Sequence, residues 1–359
     1  MNYKSIVNIN KKEISINHPT YFIADIASNH DGDVKKAKEL ISLSKEAGAN
    51  AVKFQHFKAE KIVSDKGFKD FGMKLGHQSK WQQSVFETYK RYELNREWNI
   101  QLIEEAKKVG IDFLTTPYDI EAIEQLDKYL PAYKIGSGDI TWITFIEYIA
   151  QKNKPTLLAT GASNFEDVKR AVECIIKYND QIILMQCNTN YTGNLENYKY
   201  INLNVLKTYS KIYPNMILGL SDHTPGYTTV LGAITLGARV IEKHFTDNNN
   251  RIGPDHSFSM NPKTWKEMIE RSRELENALG DGIKIVEENE KDTIIIQRRA
   301  IYLKNAVTKG QRITNEDIEY LRPCPQNAYS PYEIDNVIGK KLNISKNTGD
   351  IINRSDLED

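Results

Sequence analysis

The sequence predicts a parallel (β/α)₈ barrel followed by a small, strand-rich domain. Three observations support this prediction. The chain has 359 residues, a length that suits one large domain with a small companion. From residue 22 to about residue 280, short apolar runs alternate with amphipathic stretches of helical period, giving eight units. After Gly282 this alternation ends, and a shorter segment with several strand-like runs follows.

Each predicted strand is a short run enriched in β-branched or aromatic residues and followed by a polar turn. The runs are FIADIA (22–27), AVKFQHF (51–57), DFLTTP (112–117), AYKIGS (132–137), PTLLAT (155–160), QIILMQC (181–187), ILGLSDH (217–223) and VIEKHF (240–245). We expect these runs to form the eight barrel strands in this order.

The amphipathic stretches between the runs predict the helices, at residues 33–48, 94–110, 119–130, 143–153, 164–179, 203–214, 227–237 and 262–280. Several end in a glycine suited to a C-terminal cap, namely Gly48, Gly110, Gly237 and Gly280. The main alternative is a doubly wound open sheet. No Gly-rich dinucleotide-binding turn follows any strand, which disfavours it.

The predicted barrel domain spans residues 1–282, and its first 20 residues are expected to form a hairpin or cap under the barrel. Residues 283–297 (IKIVEENEKDTIIIQ) resemble a charged linker. Residues 298–359 form the second domain, which is near the lower size limit for independent folding.

The composition excludes several classes of protein. With 48 Lys and Arg against 48 Asp and Glu, the chain lacks the positive charge of a protein that mainly binds nucleic acid or an anionic membrane. No apolar run approaches the roughly 20 residues of a membrane helix, and the N-terminus lacks the apolar core of a signal peptide. Cys174, Cys187 and Cys324 are too scattered for a disulfide framework or a zinc site. We therefore expect a cytoplasmic protein.

The strand ends carry the candidate functional residues, because chemistry in this fold gathers at the C-terminal ends of the strands. Lys53 and Lys134 lie there among hydroxyls and glycines, in segments such as TTP, GSGD and ATGAS. This mixture suits a phosphate or a carboxylate, since backbone N–H groups can also approach the anion. Two lysines favour an anion clamp. A Schiff-base lysine remains the alternative.

His223 and His244 end neighbouring strands, so both imidazoles can converge at the barrel mouth. Two imidazoles with a nearby carboxylate and open positions suit a catalytic divalent metal. The alternative is that both are hydrogen-bonded barrel residues. The other histidines are less informative. His18 and His77 are expected on the surface, and His30, His56 and His256 are expected as polar loop residues near the mouth.

Several segments closely resemble motifs of the N-acetylneuraminate (sialic acid) synthase family. These are IADIASNHDGD, AVKFQ, TTPYD, PAYKIGSGD, LLATGAS, LGLSDHTPGY, ALGARVIEKHFTD and GPDHSFSMNP. The tail, from RRAIYLKNAV onward, resembles the antifreeze-like (SAF) domain of that family. The resemblance covers essentially the whole chain after residue 20. SDHT followed by EKHF, together with KIGSGD, is its most specific part.

The resemblance implies a (β/α)₈ TIM barrel with a SAF domain and a reaction between phosphoenolpyruvate and the open-chain aldehyde of an N-acylated hexosamine. The product is a nine-carbon 2-keto acid, a nonulosonate, and phosphate is released. The family's metal ligands, for Mn²⁺ or Mg²⁺, correspond to His223 and His244. Its phosphoenolpyruvate contacts correspond to Lys53, Thr116, Lys134, Ser137 and Ser221, and its sugar contacts to Gln55, Tyr191, Asp255 and Arg322.

The resemblance also implies a two-fold homodimer in which each tail covers the barrel of the partner subunit. Arg322 would then reach the acyl group of the sugar.

Two carboxylates complete the predicted site. Asp25 is the candidate for positioning and deprotonating a metal-bound water, and Asp139 is the candidate for acid–base work near the sugar.

The chain departs from the family pattern at Asp25 and Asp139, where glutamate is usual, and at Ala159, where a serine is usual. Strand six reads MQCNTNYTG, and the tail reads LRPCPQN. These departures cluster on the acceptor side, so we expect the reaction to be kept and the acceptor sugar to be unusual. Pseudaminate synthases share the architecture, but RIGPDHSFSM is closer to the neuraminate and legionaminate branches.

Two further alternatives remain open. One is a phosphoenolpyruvate–aldose condensation that yields a seven- or eight-carbon keto acid, against which the SAF-like tail argues. The other is a non-catalytic sugar-binding homologue, suggested by the shortened carboxylates Asp25 and Asp139.

Overall fold

A computed structural model describes residues 3–358, apart from the side chain of Lys80, as two compact units. The first unit ends at Gly280 and the second begins at Asp281. The sequence-based prediction places the end of the first domain at residue 282.

Eight parallel strands of the first unit close into a barrel, as the sequence predicts. An antiparallel hairpin of β1 (Val7–Ile9) and β2 (Lys12–Ile14) precedes them. The barrel strands are β3 (Tyr21–Asp25), β4 (Ala51–His56), β5 (Asp112–Pro117), β6 (Tyr133–Ile135), β7 (Thr156–Ala159), β8 (Ile182–Cys187), β9 (Ile217–Asp222) and β10 (Ala238–His244). β10 pairs with β3 and closes the barrel, which places His244 beside Asp25.

Helices surround the barrel, and all eight predicted ones are present. The helices of this unit are α1 (Val34–Glu46), α2 (Ala59–Ile62), α3 (Asp65–Phe71), α4 (Val85–Arg91), α5 (Asn99–Val109), α6 (Ile120–Leu126), α7 (Ile143–Ala150), α8 (Phe165–Tyr178), α9 (Val205–Ile212), α10 (Thr228–Thr235) and α11 (Pro262–Leu279). The sequence analysis assigned no structure to α2, α3 and α4. They have four to seven residues each, too few for a helical period to stand out.

Local sequence signals set the helix ends. The side chain of Asp33 accepts a hydrogen bond from the backbone N–H of Lys35 at the start of α1. Gly110 ends α5 with φ 72°, a left-handed conformation that favours glycine, as its position in the sequence predicts.

The core of the first unit has two layers. The outer layer fills the space between strands and helices and includes Phe22, Phe54 and Trp265. The inner layer fills the lower barrel, where Ile23 and Leu157 pack with Val7 and Ile9 of the hairpin. The hairpin thus packs into the N-terminal end of the barrel, and the polar C-terminal strand ends lie at the other end. No helix in residues 3–358 combines the length and apolar character needed to span a bilayer.

The second unit is small and rich in strands. It contains α12 (Lys291–Gln297), β11 (Ala300–Leu303), β12 (Ile318–Leu321), β13 (Lys341–Leu342) and β14 (Leu357–Glu358). β11 pairs with β12 and β13 with β14, both antiparallel. Ile301, Leu303, Val337 and Ile352 are fully buried in a core of its own. The segment predicted as a linker, 283–297, contains α12.

Candidate active site

The C-terminal strand ends surround a cavity of about 360 Å³. Side chains two apart on a barrel strand, such as Lys53 and Gln55, point into the same space. Most of the residues predicted from the sequence line this cavity, namely Asp25, Lys53, Gln55, Thr116, Lys134, Ser137, Asp139, Tyr191, Ser221, His223 and His244, and Ala159 lines it as well. Asp255 lines an adjoining cavity that shares several of these residues.

Lys53 and Asp25 form a buried ion pair on neighbouring strands. The Lys53 ammonium donates to Asp25 Oδ2 at 2.8 Å and to Thr116 Oγ1 at 3.0 Å, and Gln55 Nε2 donates to the same Asp25 oxygen at 3.0 Å. Burial raises the pKa of Asp25, but the nearby Lys53 ammonium and His244 ring and the hydrogen bonds from Lys53 and Gln55 outweigh it and bring the pKa to about 2. A carboxylate of such low basicity is better suited to orienting Lys53 than to accepting a proton from water.

Lys134 is paired with Glu242, a residue that the sequence analysis did not select. The Lys134 ammonium donates to Glu242 Oε1 at 2.8 Å, Ser221 Oγ donates to the same oxygen at 3.2 Å, and the Lys53 ammonium lies 3.8 Å from it. Burial raises the pKa of Glu242, and the two lysines together lower it below its ordinary value. Glu242 Oε2 is buried and has no hydrogen-bond partner among the described residues. One carboxylate therefore bridges both predicted anion-binding lysines.

Close packing shapes the wall beside Lys134. Ser137 Oγ accepts a hydrogen bond from the backbone N–H of Gly161 at 2.9 Å. A Cβ at position 161 would lie 2.5 Å from Thr189 Cγ2 and 2.9 Å from Ser137 Oγ, so glycine is required there. Cys187 also lines the cavity at this point. The Ser137 hydroxyl and the backbone of Gly161 therefore lie in the same wall as Lys134, an arrangement that suits an anion.

The structure brings His223 and His244 together, with their ring centroids 5.4 Å apart. His223 Nδ1 donates to the backbone oxygen of Asn188 at 2.8 Å, which leaves Nε2 without the proton in the neutral ring. Burial and the neighbouring His244 lower the pKa of His223 to about 3, so the ring is neutral at pH 7. His244 Nε2 lies 3.6 Å from Asp25 Oδ2.

The two imidazoles fit a divalent cation in part. His244 Nδ1 is buried without a hydrogen-bond partner in residues 3–358, and His223 Nε2 is unprotonated. Both are the kind of nitrogen donor that binds a transition metal. Within the described residues, there is no group of three or more His, Cys, Asp or Glu side chains that could hold a metal ion. A cation here would therefore take its remaining ligands from water or substrate.

Asp139 lies across the cavity, in the turn after β6. Its Oδ2 atom is buried and has no partner among the described residues. Burial raises the pKa of Asp139 from 3.8 to about 6, without an opposing cation. Of the carboxyl groups in this cavity, Asp139 has the pKa best matched to proton transfer near neutral pH.

Aromatic rings form the wall beyond the histidines. Tyr191 lies 4.3 Å from His223 and 4.9 Å from His77, between ring centroids, and His77 lies 5.4 Å from Trp81. The adjoining cavity, of about 120 Å³, is lined by Phe57, His77, Trp81, Tyr89, Tyr92, Tyr118, Tyr191 and His244, with Ser28, Gln55, Thr88, Pro254 and Asp255. Among the described side chains that line it there is no Lys or Arg.

The prediction that His77 lies on the surface is wrong. The segment that carries α2, α3 and α4 brings this half-buried ring against Tyr191 at the cavity. His56 is the last residue of β4 and not a loop residue, whereas His256 lies in a loop after β10, and both side chains are fully buried. His56 contacts Thr115 Oγ1 and Asn99 Oδ1, and His256 contacts Thr246 Oγ1 and Asp31 Oδ1.

Two predicted sugar contacts lie outside the main cavity. Asp255 Oδ2 accepts a hydrogen bond from the backbone N–H of Ser28 at 3.0 Å, which holds its loop against the end of β3. Arg322 belongs to the second unit, where it is exposed just after β12. Its role in binding a sugar stays a prediction.

Comparison with known proteins agrees with this arrangement. A model of the NeuB family matches residues 40–284, and a model of the SAF domain matches residues 298–358. An uncharacterized protein of Methanocaldococcus jannaschii is 35% identical over 98% of this chain and 98% of its own length. The N,N′-diacetyllegionaminic acid synthase of Legionella pneumophila is 34% identical over 92% of each chain.

The fold of this chain also resembles that of a solved structure. The N-acetylneuraminic acid (sialic acid) synthetase of Leptospira borgpetersenii serovar Hardjo-bovis, in complex with citrate, superposes with a TM-score of 0.71 at 27% identity. The match covers 80% of this chain and 95% of that one. The sequence relatives thus match this chain over nearly its whole length, and the solved structure matches about four fifths of it.

Proposed function

The chain belongs to the NeuB family, and from this premise we propose that it condenses phosphoenolpyruvate with an N-acylated hexosamine, N-acetylmannosamine or a modified relative. The product is a nine-carbon 2-keto sugar acid of the neuraminic or legionaminic type. The observation that carries the proposal is the buried group of Lys53, Lys134 and Glu242 beside His223 and His244. One cavity therefore contains both lysines that can bind an anion and imidazoles that can bind a metal ion.

The lysines account for binding of the donor substrate. Phosphoenolpyruvate carries a phosphate and a carboxylate. The main cavity offers these anions two ammonium groups and three hydroxyl groups, those of Lys53, Lys134, Thr116, Ser137 and Ser221. Charge-assisted hydrogen bonds to these groups are about twice as strong as neutral ones. Asp25 and Glu242 together balance the charges of the two lysines in the absence of substrate, so an arriving anion competes with these carboxylates.

The bond-forming step joins C3 of phosphoenolpyruvate to the aldehyde carbon of the open-chain sugar, and the aldehyde oxygen becomes an alkoxide. C2 gains oxocarbenium character, which the carboxylates of Asp25 and Glu242 can stabilise at close range. Water then adds at C2, and the tetrahedral intermediate loses phosphate through cleavage of its C–O bond. The alkoxide must gain a proton and the water must lose one. Asp139 is the residue that we assign to proton transfer on the sugar side.

His223 and His244 are the residues that would hold a divalent cation, Mn²⁺ or Mg²⁺. When bound there, such a cation supplies Lewis-acid polarisation of the aldehyde oxygen. We expect chelation to abolish turnover and added Mn²⁺ or Mg²⁺ to restore it. His244→Ala should remain folded and lose both activity and Mn²⁺ binding in calorimetry. Full activity in excess chelator would contradict the metal assignment.

Phosphate release from phosphoenolpyruvate tests the proposal directly, with N-acetylmannosamine and a panel of modified N-acyl hexosamines as acceptors. Mass spectrometry of the product then separates nine-carbon acids from seven- or eight-carbon ones. A preference for the acceptor sugar of pseudaminate synthases would instead favour a pseudaminate synthase. Binding of a sugar without any phosphate release would favour a non-catalytic sugar-binding protein.

A further inference from the structure

A further buried ion pair, Asp222 with Lys243, lies next to the two histidines in the chain. Asp222 and Lys243 are register partners at the C-terminal ends of β9 and β10. The Lys243 ammonium donates to Asp222 Oδ2 at 2.5 Å, and the two side chains are 2% and 0% exposed, respectively. Neither residue lines the catalytic cavity.

Hydrogen bonds complete the group. Asp222 accepts from Thr224 Oγ1 at 2.8 Å and from Thr229 Oγ1 at 2.7 Å, and Lys243 donates to the backbone oxygen of Thr224 at 2.6 Å. Thr229 lies in the first turn of α10. The Asp222–Lys243 pair therefore links both strand ends to the turn that contains His223 and to the following helix.

The position of the pair follows from the alternation of side chains along a strand. His244 directly follows Lys243 and points into the cavity, whereas Lys243 points away from it. His223 likewise directly follows Asp222 and lines the cavity. The ion pair fixes these strand ends from the outer side, so it constrains the 5.4 Å separation of the two imidazoles on the inner side.

We propose that Asp222 and Lys243 are positioning residues for cation binding, which set the relative placement of His223 and His244. This inference rests on the proposed function, because it assumes that a divalent cation binds these histidines. Groups that orient metal ligands through hydrogen bonds typically change metal affinity tenfold to a hundredfold when they are removed, and here the orientation is passed on through the adjoining backbone.

A merely stabilising role is physically distinct from this one. Replacing a buried ion pair by uncharged groups of similar size is often neutral for stability, whereas removing one partner leaves an unpaired buried charge. The double variant Asp222→Asn with Lys243→Met removes both charges and keeps an amide oxygen for Thr224 and Thr229. We expect it to fold and to retain an unfolding temperature close to that of the unmodified protein.

The experiment measures Mn²⁺ binding to the metal-free full-length protein by calorimetry, together with thermal unfolding. The double variant should bind Mn²⁺ ten to a hundred times more weakly. The matched control is Asp112→Asn. Asp112 accepts from Tyr21 Oη at 2.7 Å and pairs with Lys12 at the opposite end of the barrel. This control should lose stability without a change in Mn²⁺ affinity.

Unchanged Mn²⁺ affinity in the double variant would overturn the inference while leaving the proposed metal site intact. An equal loss of affinity in the Asp112→Asn control would overturn it as well, because general loosening of the barrel would then explain the effect. No Mn²⁺ binding by the unmodified protein would overturn both this inference and the metal assignment. Phosphate release from phosphoenolpyruvate, measured in parallel, reports on the proposed reaction separately.

Discussion

Glu242 accepts a hydrogen bond from Lys134 at 2.8 Å, inside a barrel where both side chains are almost fully buried. The same oxygen lies 3.8 Å from the Lys53 ammonium. An arriving phosphate must therefore compete with a carboxylate that already occupies the space between two lysines.

Glu242→Gln should make the protein depend on anions for stability. The substitution leaves two buried lysines with less opposing charge, so the unfolding temperature in anion-poor buffer should fall. Added phosphate should raise the unfolding temperature by more than it does for the unmodified protein, because the competing carboxylate is gone. The value of kcat should fall at least tenfold, since a group that stabilises positive charge at C2 is lost. Equal phosphate responses in the two proteins would contradict the bridging role.

Lys53→Ala and Lys134→Ala should each raise the KM for phosphoenolpyruvate. A hydrogen bond to a charged group contributes about 1.5–3 kcal/mol, so we expect an increase of about ten- to a hundredfold. The exposed Lys61, which pairs with Glu121, provides the control, and Lys61→Ala should change little. Borohydride trapping of a lysine adduct would instead support the Schiff-base mechanism.

Asp139→Asn should stabilise the protein at high pH only. The folded-state pKa of about 6 lies above the ordinary 3.8, so ionised Asp139 destabilises the folded protein. This destabilisation is absent below about pH 4 and complete above about pH 6. The shift corresponds to at most about 3 kcal/mol. Urea unfolding of both proteins at pH 4 and pH 8 measures the difference. An equal difference at both pH values would show that burial does not raise this pKa.

The same substitution separates stability from activity. We expect Asp139→Asn to lower kcat and to remove any limb of the pH–rate profile with an apparent pKa near 6. Asp335 lies in the second unit and outside the cavity, so Asp335→Asn should leave the pH–rate profile unchanged.

Strand periodicity accounts for most of the site that could be predicted from the sequence. An apolar run that ends in polar residues places Lys53, Lys134 and His244 inside the barrel, and the structure finds them there. Glu242 was accessible to the same reasoning, because it stands two residues before His244 and so faces the same side. The histidines were selected because they end their strands, and this carboxylate, two residues before the strand end, was not.

Other features left no local signal. Trp81 and Tyr89 reach the cavity through a segment of short helices, and no period in residues 58–92 indicates where that segment folds back. Asp222 and Lys243 are 21 residues apart in sequence, and only the register of β9 against β10 brings them opposite each other. Such pairings depend on tertiary structure rather than on local pattern.

The acceptor should be an uncharged, modified hexosamine. Ala159 lacks a hydroxyl at the main cavity, and the adjoining cavity has an aromatic wall that includes Trp81 and Tyr89, with no Lys or Arg among its described lining side chains. We expect a higher kcat/KM for a 6-deoxy, diacylated or similarly modified hexosamine than for N-acetylmannosamine. A 6-phosphorylated hexosamine should be poorer still, because its phosphate would meet rings and the carboxylate of Asp255. N-acetylmannosamine as the best acceptor would contradict the prediction.

Trp81→Ala tests the aromatic wall within the same assay. It should reduce kcat/KM for the modified hexosamine more than for N-acetylmannosamine, because the lost ring contacts are apolar. Trp142, an exposed residue beside α7, provides a matched control at which the same substitution should leave the preference unchanged.

The tail is expected to cover the barrel of a partner subunit. A cavity bounded by polar strand ends needs a cover, because bulk water weakens the electrostatic interactions that stabilise an oxocarbenium-like transition state. Arg322 is exposed within its own unit, and the family resemblance assigns it to the acyl group of the sugar in a partner subunit. We therefore expect a two-fold homodimer with exchanged tails. Light scattering should give the mass of a dimer.

Exchange itself can be tested by complementation. His223→Ala chains and Arg322→Ala chains are each expected to be inactive, and they are mixed in equal amounts in denaturant and refolded together. With exchanged tails, every mixed dimer has one barrel with intact histidines covered by a tail with an intact arginine. Random pairing makes half of the dimers mixed, so about a quarter of all sites should recover activity. If each tail covers its own barrel, every site retains one defect, and the refolded mixture stays inactive.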